Sequence, residues 1–284
     1  MIDFKSMGET DLKLFLLSGE AIKVGGVSIE PYKIGDIRNY GYSKYMESIQ
    51  WSSVGIDDFM ESIVDEDKKK ILEDEMDNLR TLDFYMRLGG SDMQKKIVSI
   101  LSTIFKTQDI QILEGDIIAI DFVKDGILKK NKNDLYELDE EVFNTIEPSD
   151  LKVVHRENFV DIMKVVRLQN YLEKPANAVD SSMDNVDEET RKLLEQMEKM
   201  KKKVEEKKKI SEDDDDRDVD ISDIISAVSS KSNSINKLNV WELTLYQIYD
   251  EYSRLELIDS YDFNIRAMMA GAKEVDLKHW SSKI

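Results

Sequence analysis

The spacing of apolar residues along the chain predicts that helices dominate its fold. Within Ile34–Gln50, Asp67–Leu88 and Ser91–Ile104, apolar positions recur every three or four residues, which is the period of an amphipathic helix. Gly89-Gly90 is expected to stop the second of these helices before the third begins. Asp57 is a predicted N-cap for one more helix, because its carboxylate can accept hydrogen bonds from the free N–H groups of a first turn.

Alternating apolar residues interrupt this pattern at two places and predict short strands. Ile22–Ile29 has Gly25-Gly26 at its centre, a dipeptide that tolerates the positive φ angles of a tight hairpin turn. Ile110–Leu113 and Ile117–Val123 predict a second hairpin, to which Leu135–Leu138 is expected to add a third strand. The result is a small antiparallel meander against a helical core. Two further helices are expected after it, beginning at Asp139 and Ser149.

Composition changes sharply after Leu172 and divides the chain into three parts. Residues 1–172 are predicted to form a helical domain with β hairpins. Residues 173–220 carry opposed charge blocks, Lys207–Lys209 and Asp213–Asp216, so this arm is expected to be partly helical and partly disordered. Residues 221–284 regain apolar side chains and are predicted to form a small C-terminal helical module. The predicted fold class is therefore mainly α, of the α+β type.

The C-terminal module contains the most aromatic stretch of the chain. Asp220 or Ser222 is expected to cap a short helix that ends near Val228, and Leu238–Leu257 is predicted to form a denser helix after a polar break. Aromatic side chains anchor protein interfaces because each offers a large contact area at low entropic cost. We predict a protein-binding face formed by Trp241, Leu245, Tyr249 and Tyr252. The alternative is that these residues form the core of a small bundle or dock on the first domain.

The charge balance bears on the kind of partner. The chain has 40 basic and 59 acidic residues, a formal net charge of -19. Affinity for phosphate backbones comes mainly from clustered lysine and arginine, so this balance argues against nucleic acids and anionic membranes as partners. There is no cysteine, the N-terminus does not read as a signal peptide, and the longest apolar runs are too short to span a bilayer. We therefore expect a cytoplasmic protein whose partner is another protein, with a homo-oligomer left open.

The sequence carries no pattern that predicts catalysis. With two histidines and no cysteine, the usual pairs of nucleophile and base have little to work with. No phosphate-binding loop, dinucleotide fingerprint or zinc-protease motif occurs. Asp213–Asp216 lacks the glycine and the terminal glutamate of a calcium loop and is better explained as a solvated charge run. The expectation is a protein that is not an enzyme and uses no cofactor and no metal.

Two segments resemble proteins from the tail-morphogenesis region of phages and prophages of Gram-positive bacteria. Ser229–Leu255 reads SSKSNSINKLNVWELTLYQIYDEYSRL, a run of serine and asparagine before an N-V-W-E-L-T-x-Y-Q-x-Y-D helix, and the chain ends in a tail that contains Trp280. Val27–Tyr45, VSIEPYKIGDIRNYGYSKY, is similar to the start of tail assembly chaperones of these phages. Together the two segments cover about a sixth of the chain.

This resemblance implies that the protein binds another protein and catalyses no reaction. A tail assembly chaperone coats the long tape measure protein while tail-tube subunits assemble, and it is absent from the finished particle. The family implies no catalytic residues and no cofactors. The alternative is a structural subunit, such as a tail or baseplate accessory protein, that is retained in the particle.

Overall fold

The computed structural model describes residues 2–54, 79–88, 90–131, 136–172, 219–272, 275 and 277–283. The fold is α+β and mainly helical with small antiparallel sheets, which confirms the predicted fold class. The chain divides into two compact units. Unit 1 comprises Met1–Pro175 and Leu238–Asp250, and unit 2 comprises Ala176–Lys237 and Glu251–Ile284. Unit 1 thus contains residues 238–250, which the sequence pattern places in the C-terminal module.

Unit 1 begins with a helix and a hairpin and continues with helices that surround a buried core. The described elements up to the second sheet are α1 (Glu9–Ser18), β1 (Ile22–Val24), β2 (Val27–Ile29), α2 (Ile34–Tyr40), α3 (Tyr42–Gln50), α4 (Thr81–Asp83) and α5 (Gly90–Ile104). A π-helical turn, Phe84–Leu88, follows α4 directly. The predicted helix over Ile34–Gln50 is thus broken into two, because the Gly41 backbone turns at a φ of 97°.

The predicted first hairpin is confirmed. β1 pairs antiparallel with β2, and Ile22 lies opposite Ile29. Gly25 makes the turn at a φ of 58°. Gly26 is needed for a different reason, because a Cβ atom there would lie 1.8 Å from the carbonyl oxygen of Leu151. The hairpin tip therefore packs against backbone that comes more than a hundred residues later in the sequence.

The second sheet contains the predicted hairpin but not the predicted third strand. β3 (Ile110–Leu113) pairs with β4 (Ile117–Ile120), and β4 pairs on its other side with β7 (Val153–Val154). The prediction that Leu135–Leu138 joins this sheet is wrong for its described part. β6 (Tyr136–Leu138) pairs instead with β5 (Leu128–Lys130), because Leu128 is held in a buried cluster with Ala119 and Phe122.

The helix expected from Asp139 is present, and the one expected from Ser149 begins later. α6 (Glu140–Phe143) has Asp139 as its N-cap, whose carboxylate accepts a hydrogen bond from the N–H of Val142. After β7, α7 (Phe159–Gln169) starts ten residues beyond the predicted position. Asn158 ties the preceding turn together: its Oδ1 accepts from the N–H of His155, and its Nδ2 donates to the carbonyl of Val153.

The core of unit 1 lies between α3, α5, α7 and the first hairpin. Tyr45 of α3 is buried, and its hydroxyl donates to Asn170 Oδ1 at 2.6 Å. Three of the residues predicted to face inward in Asp67–Leu88 are buried here: Leu82, Tyr85 and Met86. The predicted helix is wrong at residues 79–80, because Arg80 is extended as the N-cap of α4; its residues 67–78, together with Asp57, lie outside the described residues.

Unit 2 is described from residue 219 onwards. α8 (Ile221–Lys231) begins at Asp220, whose carboxylate accepts hydrogen bonds from the N–H groups of Ser222 and Asp223, as predicted. The last helix is α9 (Leu245–Met269), whose first residues, up to Asp250, belong to unit 1. The prediction of a helix from Leu238 is wrong by seven residues, since Val240–Glu242 forms a short 3-10 turn. The predicted charged arm lies mostly outside the described residues.

Candidate protein-binding surface

The segment Leu238–Asp250, hereafter the docked segment, forms part of unit 1 although it follows the arm in sequence. Its helical part starts at a reciprocal cap between two side chains. The N–H of Thr244 donates to Gln247 Oε1 at 2.8 Å, and the N–H of Gln247 donates to Thr244 Oγ1 at 3.3 Å. This Thr-x-x-Gln capping box satisfies two N–H groups that helix geometry leaves without a partner.

Contacts with α2 hold the first half of the docked segment. The N–H of Ile34 donates to the carbonyl of Leu243 at 2.7 Å, and Lys33 pairs with Thr244 through an antiparallel β bridge. Lys33 Nζ also lies 2.7 Å from a carboxylate oxygen of Glu242. Hydrogen bonding to that carboxylate raises the pKa of Lys33 above its ordinary value. The backbone contacts fix the register of the segment against α2, and the ion pair joins Glu242 to Lys33.

Glycine and arginine on α2 complete this side of the contact. A Cβ at Gly35 would lie 3.1 Å from the carbonyl oxygen of Trp241, so the absence of a side chain lets the two backbones approach closely. The guanidinium carbon of Arg38 lies 4.8 Å from the ring centroid of Trp241. That distance is within the range of a cation–π interaction.

Tyrosine stacking holds the second half of the docked segment. The ring of Tyr249 lies 5.0 Å from that of Tyr171 at an interplanar angle of 13°, and the ring of Tyr246 lies 5.7 Å from Tyr171. Tyr171 reaches this position with a φ of 59°, just beyond the end of α7. Burial, followed by the neighbouring Tyr42, raises the pKa of Tyr249 to about 12. Gln247 Nε2 donates to the carbonyl of Leu17 at 2.7 Å, which adds the end of α1 to the contact.

The docked segment also supplies buried side chains to unit 1. Leu245 is 2% exposed, and four of its neighbours are also buried: Val240, Thr244, Tyr246 and Ile248. Burying a large apolar side chain typically contributes about 1.5–3 kcal/mol. The docked segment therefore contributes to the hydrophobic core of unit 1.

The four residues of the predicted binding face divide between the two units. Trp241, Leu245 and Tyr249 belong to the docked segment. Trp241 contacts Arg38, and Tyr249 stacks on Tyr171. Leu245 is buried in the core of unit 1. Tyr252 belongs to unit 2, where the negative charge of Glu256, one helical turn later, raises the pKa of Tyr252 above its ordinary value. The structure therefore packs three of the four predicted residues against the first part of the chain, which is the alternative given in the sequence analysis. That these residues bind a partner protein stays a prediction.

Exposed apolar side chains in unit 2 form a second group that the sequence pattern did not select. Phe263 is 71% exposed and Met269 84% exposed, and Met268, Leu277 and Trp280 are exposed as well. Several exposed large apolar side chains within one short segment favour a protein–protein contact site. Met268 and Met269 were visible in the sequence as a pair near the end of the chain. The sequence does not predict that they are exposed, because helical spacing alone does not tell which apolar side chains are covered by other parts of the chain.

The C-terminal tail is held against α9 by specific contacts. Arg254 Nη1 donates to the carbonyl oxygens of Trp280 and Ser282, at 2.8 and 2.9 Å. The ring of His279 lies 5.3 Å from that of Tyr261 in an edge-to-face arrangement. α8 is tied to the same helix by an ion pair between Lys231 and Asp259. The tail thereby presents Trp280 on a defined part of unit 2. We call the exposed group Phe263, Met268, Met269 and Trp280 the unit 2 apolar surface.

Metal binding needs several ligand side chains in one place. Within the described residues, no three His, Asp or Glu side chains are grouped as the ligands of a metal ion would be. None of the described helices combines the length and the low charge that a bilayer crossing requires. The aspartate run 213–216 lies outside the described residues.

Comparison with known proteins links the C-terminal part of the chain to one family. Residues 206–284 match the family described as the YomV second domain. YomV is the name of a phage- or prophage-associated protein. The C-terminal part of the chain is therefore similar to a family named after a phage- or prophage-associated protein. No curated protein and no solved structure gives a significant match.

The matched segment contains both groups of residues described above. It includes the docked segment, with Trp241, Leu245 and Tyr249, and it includes the unit 2 apolar surface. The similarity therefore covers a stretch that packs into unit 1 and a stretch that belongs to unit 2. At this level the resemblance to phage and prophage proteins found in the sequence is confirmed.

Proposed function

We propose that this protein is a phage tail assembly chaperone that binds the tape measure protein during tail morphogenesis in the host cytoplasm. The proposal rests on one structural observation, the unit 2 apolar surface within the phage-related segment. A tape measure protein is long and helical, and its apolar stripes need to be covered before assembly. Methionine suits such a client, because its flexible and polarisable side chain adapts to varied apolar surfaces.

The charge of the chain supports the same proposal. A formal net charge of -19 keeps copies of the protein apart and favours solubility while an apolar surface stays available. Specificity for one client then comes from the shape of the apolar surface and its rim. Arg266 lies within three residues of Phe263, Met268 and Met269, and Asp259 and Asp262 precede Phe263 by four residues and one residue. These charged side chains give the rim both signs of charge.

The test is co-purification with a fragment of the tape measure protein encoded in the same phage genome. The unchanged chain is expected to elute from gel filtration as a complex with the fragment. The double variant Met268→Glu/Met269→Glu should lose the complex, because two carboxylates would have to be desolvated at the contact. The matched control is Leu14→Glu/Val160→Glu, which places the same charges on two exposed apolar positions of unit 1, in α1 and α7.

Two results would contradict the proposal. If the control variant loses the complex and the methionine variant keeps it, the unit 2 apolar surface is not the contact. If mass spectrometry of purified particles finds the protein in stoichiometric amounts, it is a retained structural subunit rather than a chaperone. Circular dichroism of each variant establishes that a lost complex does not reflect lost folding.

A further inference from the structure

We infer that residues 238–250 are a docking motif for a groove on unit 1, and that this motif holds the C-terminal part of the chain there without help from the covalent connection. The occupant of the groove is therefore a defined segment of this chain. The groove is defined here as the part of unit 1 that contacts residues 238–250, namely the end of α1, the N-terminal half of α2 and Tyr171. This inference is independent of the proposed function.

The first argument is the separation in sequence. Residues 176–237 stand between the two parts of unit 1, so 62 residues join the body of the unit to the docked segment. A long connection lowers the effective concentration of the segment at its groove relative to a short linker. A docked state that depended on the tether alone would be weak. The contacts themselves must supply the affinity.

The second argument is the range of independent contacts in the groove. The motif is held by a backbone hydrogen bond and β bridge at Lys33 and Ile34, by a side-chain bond from Gln247 to Leu17, and by a stacked ring pair at Tyr171. Leu245 and Ile248 are buried between these points. Short helical motifs that bind grooves use the same combination of apolar anchors at helical spacing and polar contacts at the rim.

The third argument is the preorganisation of the motif. The Thr244 and Gln247 capping box fixes the first helical turn through contacts within the motif itself. The side-chain amide N–H of Gln247 stays available and donates to the carbonyl of Leu17. A segment whose bound conformation is already favoured loses less entropy on docking, which raises its affinity.

The experiment cuts the connection in the folded, full-length protein. A recognition site for a specific protease is inserted within Ser181–Glu189, and the purified chain is cleaved under native conditions. The two fragments are expected to co-elute from gel filtration at about 10 µM, which requires a dissociation constant near or below that concentration. Separation of the fragments under these conditions would overturn the inference.

A pair of variants tests whether the motif is the contact. Tyr249→Ala removes the stacking with Tyr171 and should weaken fragment association by roughly tenfold. Phe263→Ala is the matched control, because it truncates an exposed aromatic residue of the same helix outside unit 1. Association unchanged by Tyr249→Ala, or weakened equally by both variants, would contradict the assignment.

The uncut chain provides the folding control. In the uncut Tyr249→Ala variant the tether still supplies the segment at its groove, so the circular dichroism spectrum is expected to match that of the unchanged chain. A spectrum that shows lost helix before cleavage would instead mean that Tyr249 is needed for folding. Gln247→Ala then replaces it, with an expected weakening of about fivefold from the lost hydrogen bond to Leu17 and the lost acceptor for the Thr244 N–H.

Discussion

Thr244 and Gln247 hold each other at the start of the last helix. Each side chain accepts a hydrogen bond from the backbone N–H of the other residue, at 3.3 Å for the Thr244 hydroxyl and 2.8 Å for the Gln247 amide oxygen. This pair explains why the helix begins at Leu245, although apolar and aromatic residues already occur from Leu238 onwards. It also aims Gln247 at α1, so that one side chain serves both the helix and its docking.

The first prediction concerns this cap. Thr244→Ala should lower the free energy of unfolding by about 1 kcal/mol, with a range of about 0.5–2 kcal/mol, because the N–H of Gln247 loses its acceptor. Urea denaturation followed by circular dichroism measures the change. The control is Thr10→Ala, an exposed threonine in the first turn of α1, which is expected to change stability by less than about 0.5 kcal/mol. Equal effects of both variants would contradict the role of the cap.

This cap also shows what the sequence could have revealed. Thr-x-x-Gln is a readable start signal, and it was outweighed by the apolar spacing of the residues before it. The hairpins at Gly25-Gly26 and Glu114–Asp116 were predictable because each depends on residues adjacent in sequence. The pairing of β6 was not, since the pattern of Tyr136–Leu138 is the same whichever strand lies beside it.

The candidate site was less predictable than the fold for a related reason. Trp241, Leu245 and Tyr249 have the spacing and chemistry of a protein-binding helix face, and the structure packs them into unit 1. A protein core and a protein interface both bury large apolar and aromatic side chains, so residue spacing alone does not tell which of the two a helix face forms. Met268 and Met269 lie at the end of α9, where the apolar spacing of the sequence does not tell which side chains stay exposed.

The second prediction tests the close approach of Gly26 to Leu151. Gly26→Ala should destabilise the protein by about 1–3 kcal/mol, because the new Cβ would lie 1.8 Å from a backbone carbonyl oxygen, so one of the two segments must move. Thermal or urea denaturation measures this. Gly8→Ala is the comparison, since the nearest atom to a Cβ there is a flexible carboxylate oxygen at 3.6 Å. A Gly26→Ala protein as stable as the Gly8→Ala protein would rule out a rigid contact.

The third prediction concerns the buried hydrogen bond between Tyr45 and Asn170. Tyr45→Phe keeps the ring but leaves Asn170 Oδ1 without the donor that lies 2.6 Å away. An unsatisfied buried acceptor costs about 1–3 kcal/mol, so the urea midpoint should fall accordingly. Tyr136→Phe removes an exposed hydroxyl from β6 and should leave the midpoint nearly unchanged. If the Tyr45→Phe protein is as stable as the unchanged chain, a water molecule or another donor replaces the hydroxyl.

The last prediction is a loss of stability at alkaline pH. Burial, then Tyr40, Asp36 and Glu30, raises the pKa of Tyr32 from 10.0 to about 12. Burial likewise raises the pKa of Tyr249 to about 12. Below pH 10 these phenols are protonated in both the folded and the unfolded chain, so their contribution to stability is complete and constant. Between pH 10 and about 12 the unfolded chain releases protons that the folded chain retains, and the free energy of unfolding therefore falls.

Urea denaturation at a series of pH values, with tyrosinate absorbance read in parallel, tests this sign. The free energy of unfolding should decline from about pH 10 upwards, and part of the tyrosinate signal should appear only above that point. In Tyr32→Phe the decline should be shallower, because one of the protons that separates the two states is gone. A decline as steep in Tyr32→Phe as in the unchanged chain would show that other groups, such as Lys33 with its raised pKa beside Glu242, account for the alkaline loss.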